Sequence, residues 1–188
     1  KQVGLGRARR RGAKRGGPRG AMASKPTGRS REYFDVVKAI GECKSKLEED
    51  SIVEGQVMVL KKKIANPKLD KGLLREYLLR LIYVEMLGHD ASFGHVHAVK
   101  LSSDTETVSK KLGYLTTTLF INNASELIFL IVNTLQTDLK SDNSLVVCAA
   151  LGAVCRLVNA DVAPALVPNV VELLSHSTEF VRKKAVMA

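Results

Sequence analysis

Three of the chain's four histidines, His89, His95 and His97, fall within the stretch "EMLGHDASFGHVHAVKL", with Asp90 and Ser92 between them. Imidazole and carboxylate this close together are the ingredients of a zinc site or an acid–base pair. The spacing argues against both. A helical zinc site places its histidines at i and i+4 with a further ligand nearby. His95 and His97 are two apart, about 200° around a helix, and point to opposite sides. His89 follows Gly88, ahead of the short helix, and no cysteine is near it in sequence. Asp90, before Ala91-Ser92, has the residue type and position of a helix N-cap or its neighbour. Ser92 is a second cap candidate, since a nucleophile would need a base in reach and a pocket. Neither GxxxxGK[ST] nor GxGxxG occurs, so no phosphate loop is present. No catalytic residue, metal ligand or cofactor is expected.

The elements that carry these residues are helical. Phe34, Val37, Ile40 and Cys43 recur at helical spacing, and so do Val53, Val57, Leu60 and Ile64. "ANPKLDKG" breaks the pattern at Asn66-Pro67. Leu74, Tyr77, Leu78, Leu81, Ile82 and Val84 form an apolar helix ending near Gly88, and a short helix is predicted from about Ser92 to Leu101. Ser103 with Glu106, and Asn123 with Glu126, have capping-box spacing. Val108, Leu112, Leu115 and Leu119 are expected to line the helix between them. Further helices are predicted over Leu127–Leu139, Leu145–Val158 and Val162–Leu174, with a ninth beginning beyond. No β-alternating run is bounded by turn signals.

"LSSDTETVSKKLG" from Leu101, "LKSDNSLVVCAAL" from Leu139 and "LSHSTEFVRKKAV" from Leu174 share one pattern, offset by 38 and then 35 residues. Each has a leucine, a polar turn, a valine (Val108, Val146, Val181) and, four positions on, Leu112, Ala150 or Ala185. Helix pairs repeating at this period predict an all-α, HEAT- or armadillo-like solenoid of paired antiparallel helices. The chain stops at "FVRKKAVMA", inside the second helix of a repeat, so the solenoid is expected to be the N-terminal part of a longer one.

The net charge is +10, but residues 1–30 hold ten Lys/Arg and no acid, leaving 19 bases against 19 acids in residues 31–188. The first segment, rich in Gly and Arg, is expected to be a disordered tail. Its readings are a nucleic-acid or lipid-binding arm, a transit peptide, or an extension ahead of a natural start at Met22 in "AMASKPTG". The three cysteines, Cys43, Cys148 and Cys155, form no CxxC and no disulfide framework, which suggests a reducing compartment. No membrane-spanning apolar run or signal peptide is visible, so a cytosolic protein is expected. Lys61, Lys62 and Lys63 in "LKKKI" form a triple-lysine patch that a solvated helix face or an anionic headgroup would explain. Arg182-Lys183-Lys184 reads similarly.

The stretches "LLRLIYVEMLGHDASFGHVHAVKL", "KKLGYLTTTLF", "ELIFLIVNTLQTDLKSDNSLVVCAALGAVCRLV" and "VRKKAVMA" resemble the N-terminal trunk of adaptor-complex large subunits, the adaptins, from about Arg31 to Ala188. Within that class "EMLGHDASFG", "IVNTLQTDL" and "VVCAAL" point to the epsilon type of the fourth adaptor complex. The resemblance implies a non-enzymatic vesicle-coat adaptor subunit. Its partners would be a beta-type large, a medium and a small subunit, the small one cradled by the early helices. It also implies recruitment by an Arf-type GTPase to the cytosolic face of trans-Golgi network membranes. Cargo would be met mostly through the other subunits. In relatives the helix after "LG-x-x-x-x-FG" offers apolar residues to the GTPase switches, and the matching positions are Val96 and Val99 with Lys100 beside them. Relatives of the gamma and alpha type use a first-helix arginine for acidic dileucine signals. Gly41 stands at the matched position here and Lys38 one turn earlier, which puts that use in doubt. The rival reading is a helical-repeat nucleic-acid-binding or nuclear-transport protein that works through the basic tail. Sparse aromatics and the neutral charge of residues 31–188 count against it.

Overall fold

A computed structural model describes residues 28–121 and 126–188. Among these described residues nine α-helices follow one another: α1 Gly28–Gly41, α2 Lys46–Ile64, α3 Lys71–Met86, α4 His95–Ser102, α5 Thr107–Phe120, α6 Ile128–Leu139, α7 Ser144–Leu157, α8 Ala163–Leu173 and α9 Glu179–Met187. A single 3₁₀ turn, Ser92–Gly94, precedes α4, and no strand occurs among the described residues. Each helix packs on its sequence neighbour or on the helix two along. α3, α5, α7 and α9 make one layer; α4, α6 and α8 make the other. That is the predicted solenoid. Residues 1–27 of the basic tail and the Asn123 half of one predicted capping box lie outside the described residues, whereas residues 28–30, expected to belong to the tail, open α1.

The odd helices share a start signal. Asp70 accepts the Gly72 N–H, Asp104 that of Glu106, Asn143 that of Leu145 and His176 that of Thr178, all at 3.0–3.1 Å. Each acceptor satisfies an N–H that the helix itself leaves unpaired. The expected Ser103–Glu106 box therefore does not form. α5 begins at Thr107, so Ser103 sits too far ahead, and its hydroxyl pairs with Thr134 at 3.2 Å instead. A reciprocal cap does occur at α2. Ser45 Oγ accepts the Glu48 N–H, while Glu48 Oε2 accepts the Lys44 N–H.

One apolar core runs the length of the stack, through Leu78, Leu81, Leu101, Ile131, Leu135, Leu151, Leu157 and Leu166. The face that α5 contributes to it is not the predicted one. Val108 is 61% exposed, and Leu115 and Leu119 also face outward. Ser109, Gly113, Tyr114, Thr116, Thr117 and Phe120 are buried instead. A Cβ on Gly113 would lie 2.6 Å from Ser102 Cα and 2.7 Å from the Leu101 carbonyl carbon, so the α4 and α5 backbones meet there. Only small residues allow that approach. Their hydroxyls stay satisfied because Thr116 and Thr117 donate to the Leu112 and Gly113 carbonyls, both at 2.7 Å. The true repeat register is shifted by one: Ser109 and Gly113 occupy the buried places of Val146 and Ala150, and of Val181 and Ala185.

Polar ties cross the stack beside the core. Buried Asp138 on α6 receives Lys110 Nζ at 2.7 and 2.8 Å and Tyr114 Oη at 2.6 Å, both from α5. Burial, then the Asp138 carboxylate, pushes the Tyr114 phenol well above its ordinary range, so it stays a neutral donor. Lys71 meets Asp104 at 2.8 Å, Arg75 meets Glu106 at 2.7 Å, and Arg80 meets Glu32 at 3.2 Å.

Three measurements test this account. Gly113→Ala destabilises the chain by about 2 kcal/mol in urea unfolding, because the backbone clash exceeds the ~1 kcal/mol that Ala adds by helix propensity. Gly152→Ala, where an added Cβ meets nothing within 4 Å, is neutral or stabilising. Asp138→Ala strands the largely buried Lys110 charge and costs about 3 kcal/mol, most of it recovered in Lys110→Met/Asp138→Leu. The Arg80 hydrogen bond lowers the Glu32 pKa, the Glu106 backbone N–H and then Lys71 lower that of Asp104, and Arg75 lowers that of Glu106. Carboxylates with depressed folded pKa values stabilise fully above their unfolded values near ~4 and lose that contribution as the pH falls through the folded ones. Stability measured by urea unfolding is therefore flat in these groups from neutral pH to about 5 and declines below about 4, with a shallower decline in Asp104→Asn.

Candidate functional site

The segment that opened the sequence folds as a helix stop, a tight restart and one short helix. α3 ends in a Schellman motif: Gly88 N–H donates to the Glu85 carbonyl at 2.9 Å and His89 N–H to that of Val84 at 3.2 Å. Gly88 has φ +88°, a conformation that favours glycine. Asp90 Oδ1 then accepts the Ser92 N–H at 3.0 Å, and Glu85 Oε2 accepts that of Ala91 at 3.1 Å. Asp90 is thus the capping residue its position predicts, and the Ser92 hydrogen bonds hold its carboxyl below the usual range. At Gly94 an added Cβ would come within 2.6 Å of Leu81 Cδ1 and 3.4 Å of Phe120, which explains why glycine follows Phe93. Two glycines, one for backbone conformation and one for close packing, aim α4.

The three histidines do not converge. His89 Nε2 lies 3.1 Å from Asp50 Oδ1 on α2. The His95 ring packs on Phe120 with centroids 5.2 Å apart. His97 lines a groove of about 700 Å³ between the α2–α3 and α4–α5 turns, where burial and then Lys100 lower its pKa. Glu49, Asp50 and His89 do bring one ligating atom each within 4.8 Å of one another. Lys46 Nζ already neutralises the two carboxylates there, at 2.7 Å from Glu49 and 3.2 Å from Asp50.

α4 presents less than its sequence suggests. Val96 is 60% exposed and Lys100, one turn on, is exposed beside it. Val99 is only 7% exposed and belongs to the core with Ala98 and Leu101. The expected spot made by both valines is therefore corrected to Val96 alone on this helix. The sequence does not single out what stands next to it. Phe129 and Leu130 on the first turn of α6 are both exposed, inside "ELIFLIV", where a continuous apolar run hides which residues point outward. Ser103, just past α4, contacts Thr134 on α6.

The triple-lysine patch also divides. Lys61 Nζ sits 5.2 Å from the Phe93 ring centroid and Lys62 is exposed. Lys63 is half-buried, 3.4 Å from Glu32 Oε2 and 5.5 Å from the Tyr77 ring centroid, so it is already paired. Gly41 ends α1, and Lys38 pairs with Glu42 at 3.7 Å on the open surface. No helix among the described residues is long and apolar enough to cross a membrane.

Comparison with known proteins fits this arrangement of helices. The family described as "Adaptin N terminal region" matches residues 35–188. The chain is 56% identical over 161 residues to the AP-4 complex subunit epsilon of Arabidopsis thaliana, covering 86% of this chain and 17% of that protein. It is 39% identical to the human AP-4 complex subunit epsilon-1 over 92% of this chain and 15% of that protein. To the AP-1 complex subunit gamma-1 of Schizosaccharomyces pombe it is 30% identical, over 80% of this chain and 18% of that protein. It thus spans about a sixth of the length of the epsilon relatives and resembles them more than it does the gamma subunit. The chain belongs to the adaptin family, through the N-terminal region of that family's large subunits.

Proposed function

We propose that this chain is the N-terminal part of an epsilon-type large subunit of a heterotetrameric vesicle-coat adaptor complex. In this reading it acts in cargo sorting and protein transport from the trans-Golgi network. It is peripheral on the cytosolic face of the membrane and assembles with a beta-type large, a medium and a small subunit. An Arf-type GTPase recruits it. The observation that supports this best is the 56% identity to an AP-4 epsilon subunit across a solenoid whose exposed residues are apolar where a partner would dock.

The even-helix layer is the side for the GTPase. Val96, Phe129 and Leu130 offer three exposed apolar side chains from two adjacent helices, with Lys100 on the rim. GTP-bound switches order and expose an apolar surface that such a patch can cover. Lys61 and Lys62 supply positive charge for anionic headgroups, each contributing about 1 kcal/mol within reach of them. The work of such a subunit lies in presenting surfaces to these partners, and no bond-making step is assigned to it.

Pull-down of the reconstituted complex on GTP-locked and GDP-locked Arf tests the assignment. The GTP form retains the complex and the GDP form does not. Val96→Asp or Phe129→Asp lowers retention at least tenfold with assembly intact, as expected when an apolar anchor is replaced by a charge. Equal retention by both nucleotide forms, or retention unchanged by Val96→Asp, would sink the GTPase assignment.

A further inference from the structure

The opposite face, built by α5, α7 and α9, carries a groove of about 390 Å³ that neither the histidine segment nor the GTPase side explains. Leu115 from α5, Leu145 from α7 and Phe180 from α9 stand in it, between 49% and 56% exposed. Its floor includes Ala149, with only a methyl group, and Gly152, with no side chain, which keep it open. Lys111, Arg156 and Lys184 ring it, one cation from each helix, and no acidic residue lines it. None of the three is ion-paired among the described residues. Lys71, Arg75 and Lys110, on the same layer of helices, have carboxylate partners instead; what distinguishes Lys111, Arg156 and Lys184 is that all three border one groove without an acid in its lining. Lys183, next to Lys184 in sequence, pairs with Glu179. A merely solvated face would mix both signs of charge.

We infer that this groove seats an amphipathic helix of a partner protein, with a leucine-type face on Leu115, Leu145 and Phe180 and Asp or Glu on its flanks meeting Lys111, Arg156 and Lys184. Charge complementarity fixes the sign of the flanks, because three unpaired cations around an apolar floor favour an acidic partner and repel a basic one. The wall chemistry fixes the conformation. The groove is made of helix sides whose backbone groups are already bonded, so it offers no strand edge to an extended peptide. A helix bonds its own backbone and lays only side chains into the groove. Nucleic acid fits poorly, since Phe180 is the one ring exposed in the groove and stacking surfaces need several. The inference stands apart from the adaptor assignment and holds whichever GTPase or membrane the chain meets.

The test uses the full chain and a fluorescent, designed helical peptide of about five turns, with Leu on one face and Glu on its flanks. Anisotropy should show saturable binding that weakens with salt. The scrambled peptide and the version with Lys for Glu should not bind. Leu145→Asp should weaken binding at least tenfold, and so should Lys111→Glu/Lys184→Glu, whose side chains are not buried and whose thermal unfolding should match the parent. The Lys-flanked peptide should regain binding to the Lys111→Glu/Lys184→Glu chain. Equal binding of scrambled and designed peptides, or indifference to the charge reversal, overturns the proposal. So does the absence of peptide binding alongside capture by phosphatidylserine vesicles, or alongside self-association, that depends on the same three cations.

Discussion

The backbone contact at Gly113 governs what the rest of the stack can do. Without a side chain there, α5 lies directly on the last residues of α4, Leu101 and Ser102. That contact draws Val99 and Leu101 into the core and turns Val96 and Lys100 outward. It also dictates the composition of the facing surface. Ser109, Thr116 and Thr117 are small enough to let the helices close, and each hydroxyl finds a carbonyl or carboxylate partner. A leucine on that face would hold the helices at ordinary spacing and swing α4 away from α6. The presented surface is thus a consequence of a buried one, through helix approach rather than through any contact of its own.

Helix number, order and approximate ends were legible because they depend on local signals. Asn66-Pro67, Gly88 and the polar turns at 139–144 and 174–178 interrupt apolar periodicity at four of the places where the structure breaks its helices. Face assignment is where legibility stopped. On α5 three of the four predicted core residues, Val108, Leu115 and Leu119, point outward while Leu112 packs partly on the core, and the fully buried stripe reads as mostly polar. A solenoid helix has two apolar demands, one toward its own stack and one toward whatever covers the stack, and periodicity shows the stripes without saying which is which. The same ambiguity passed over Phe129 and Leu130, and the resemblance that set Val99 beside Val96 carries no information on which of the two this chain buries. The capping pair assigned to Ser103 and Glu106 failed for a related reason: the motif was matched, but an aspartate one residue on competes for the same turn. Charge was misread in one direction only. The "LKKKI" run looks uniform, yet Lys63 is engaged by Glu32, thirty-one residues earlier, a pairing that only the folded chain brings about.

The two faces left open differ in chemistry, and the difference follows from the ion pairs inside the stack. Lys71, Arg75, Arg80 and Lys110 point from the odd helices to carboxylates on neighbouring elements, where they fix one helix against another. Those pairs consume the acids near the α3–α5 junction. Further along, at α5, α7 and α9, Lys111, Arg156 and Lys184 have no such partners, so the groove keeps a net positive rim although residues 31–188 are balanced overall. On the even helices the exposed large side chains Val96, Phe129 and Leu130 are apolar, and Lys100 follows Val96 by one turn. One face is therefore suited to a partner chosen by shape and hydrophobicity, the other to one chosen by charge as well. Because odd and even helices alternate along one rigid stack, two such partners can bind at once without competing for the same residues.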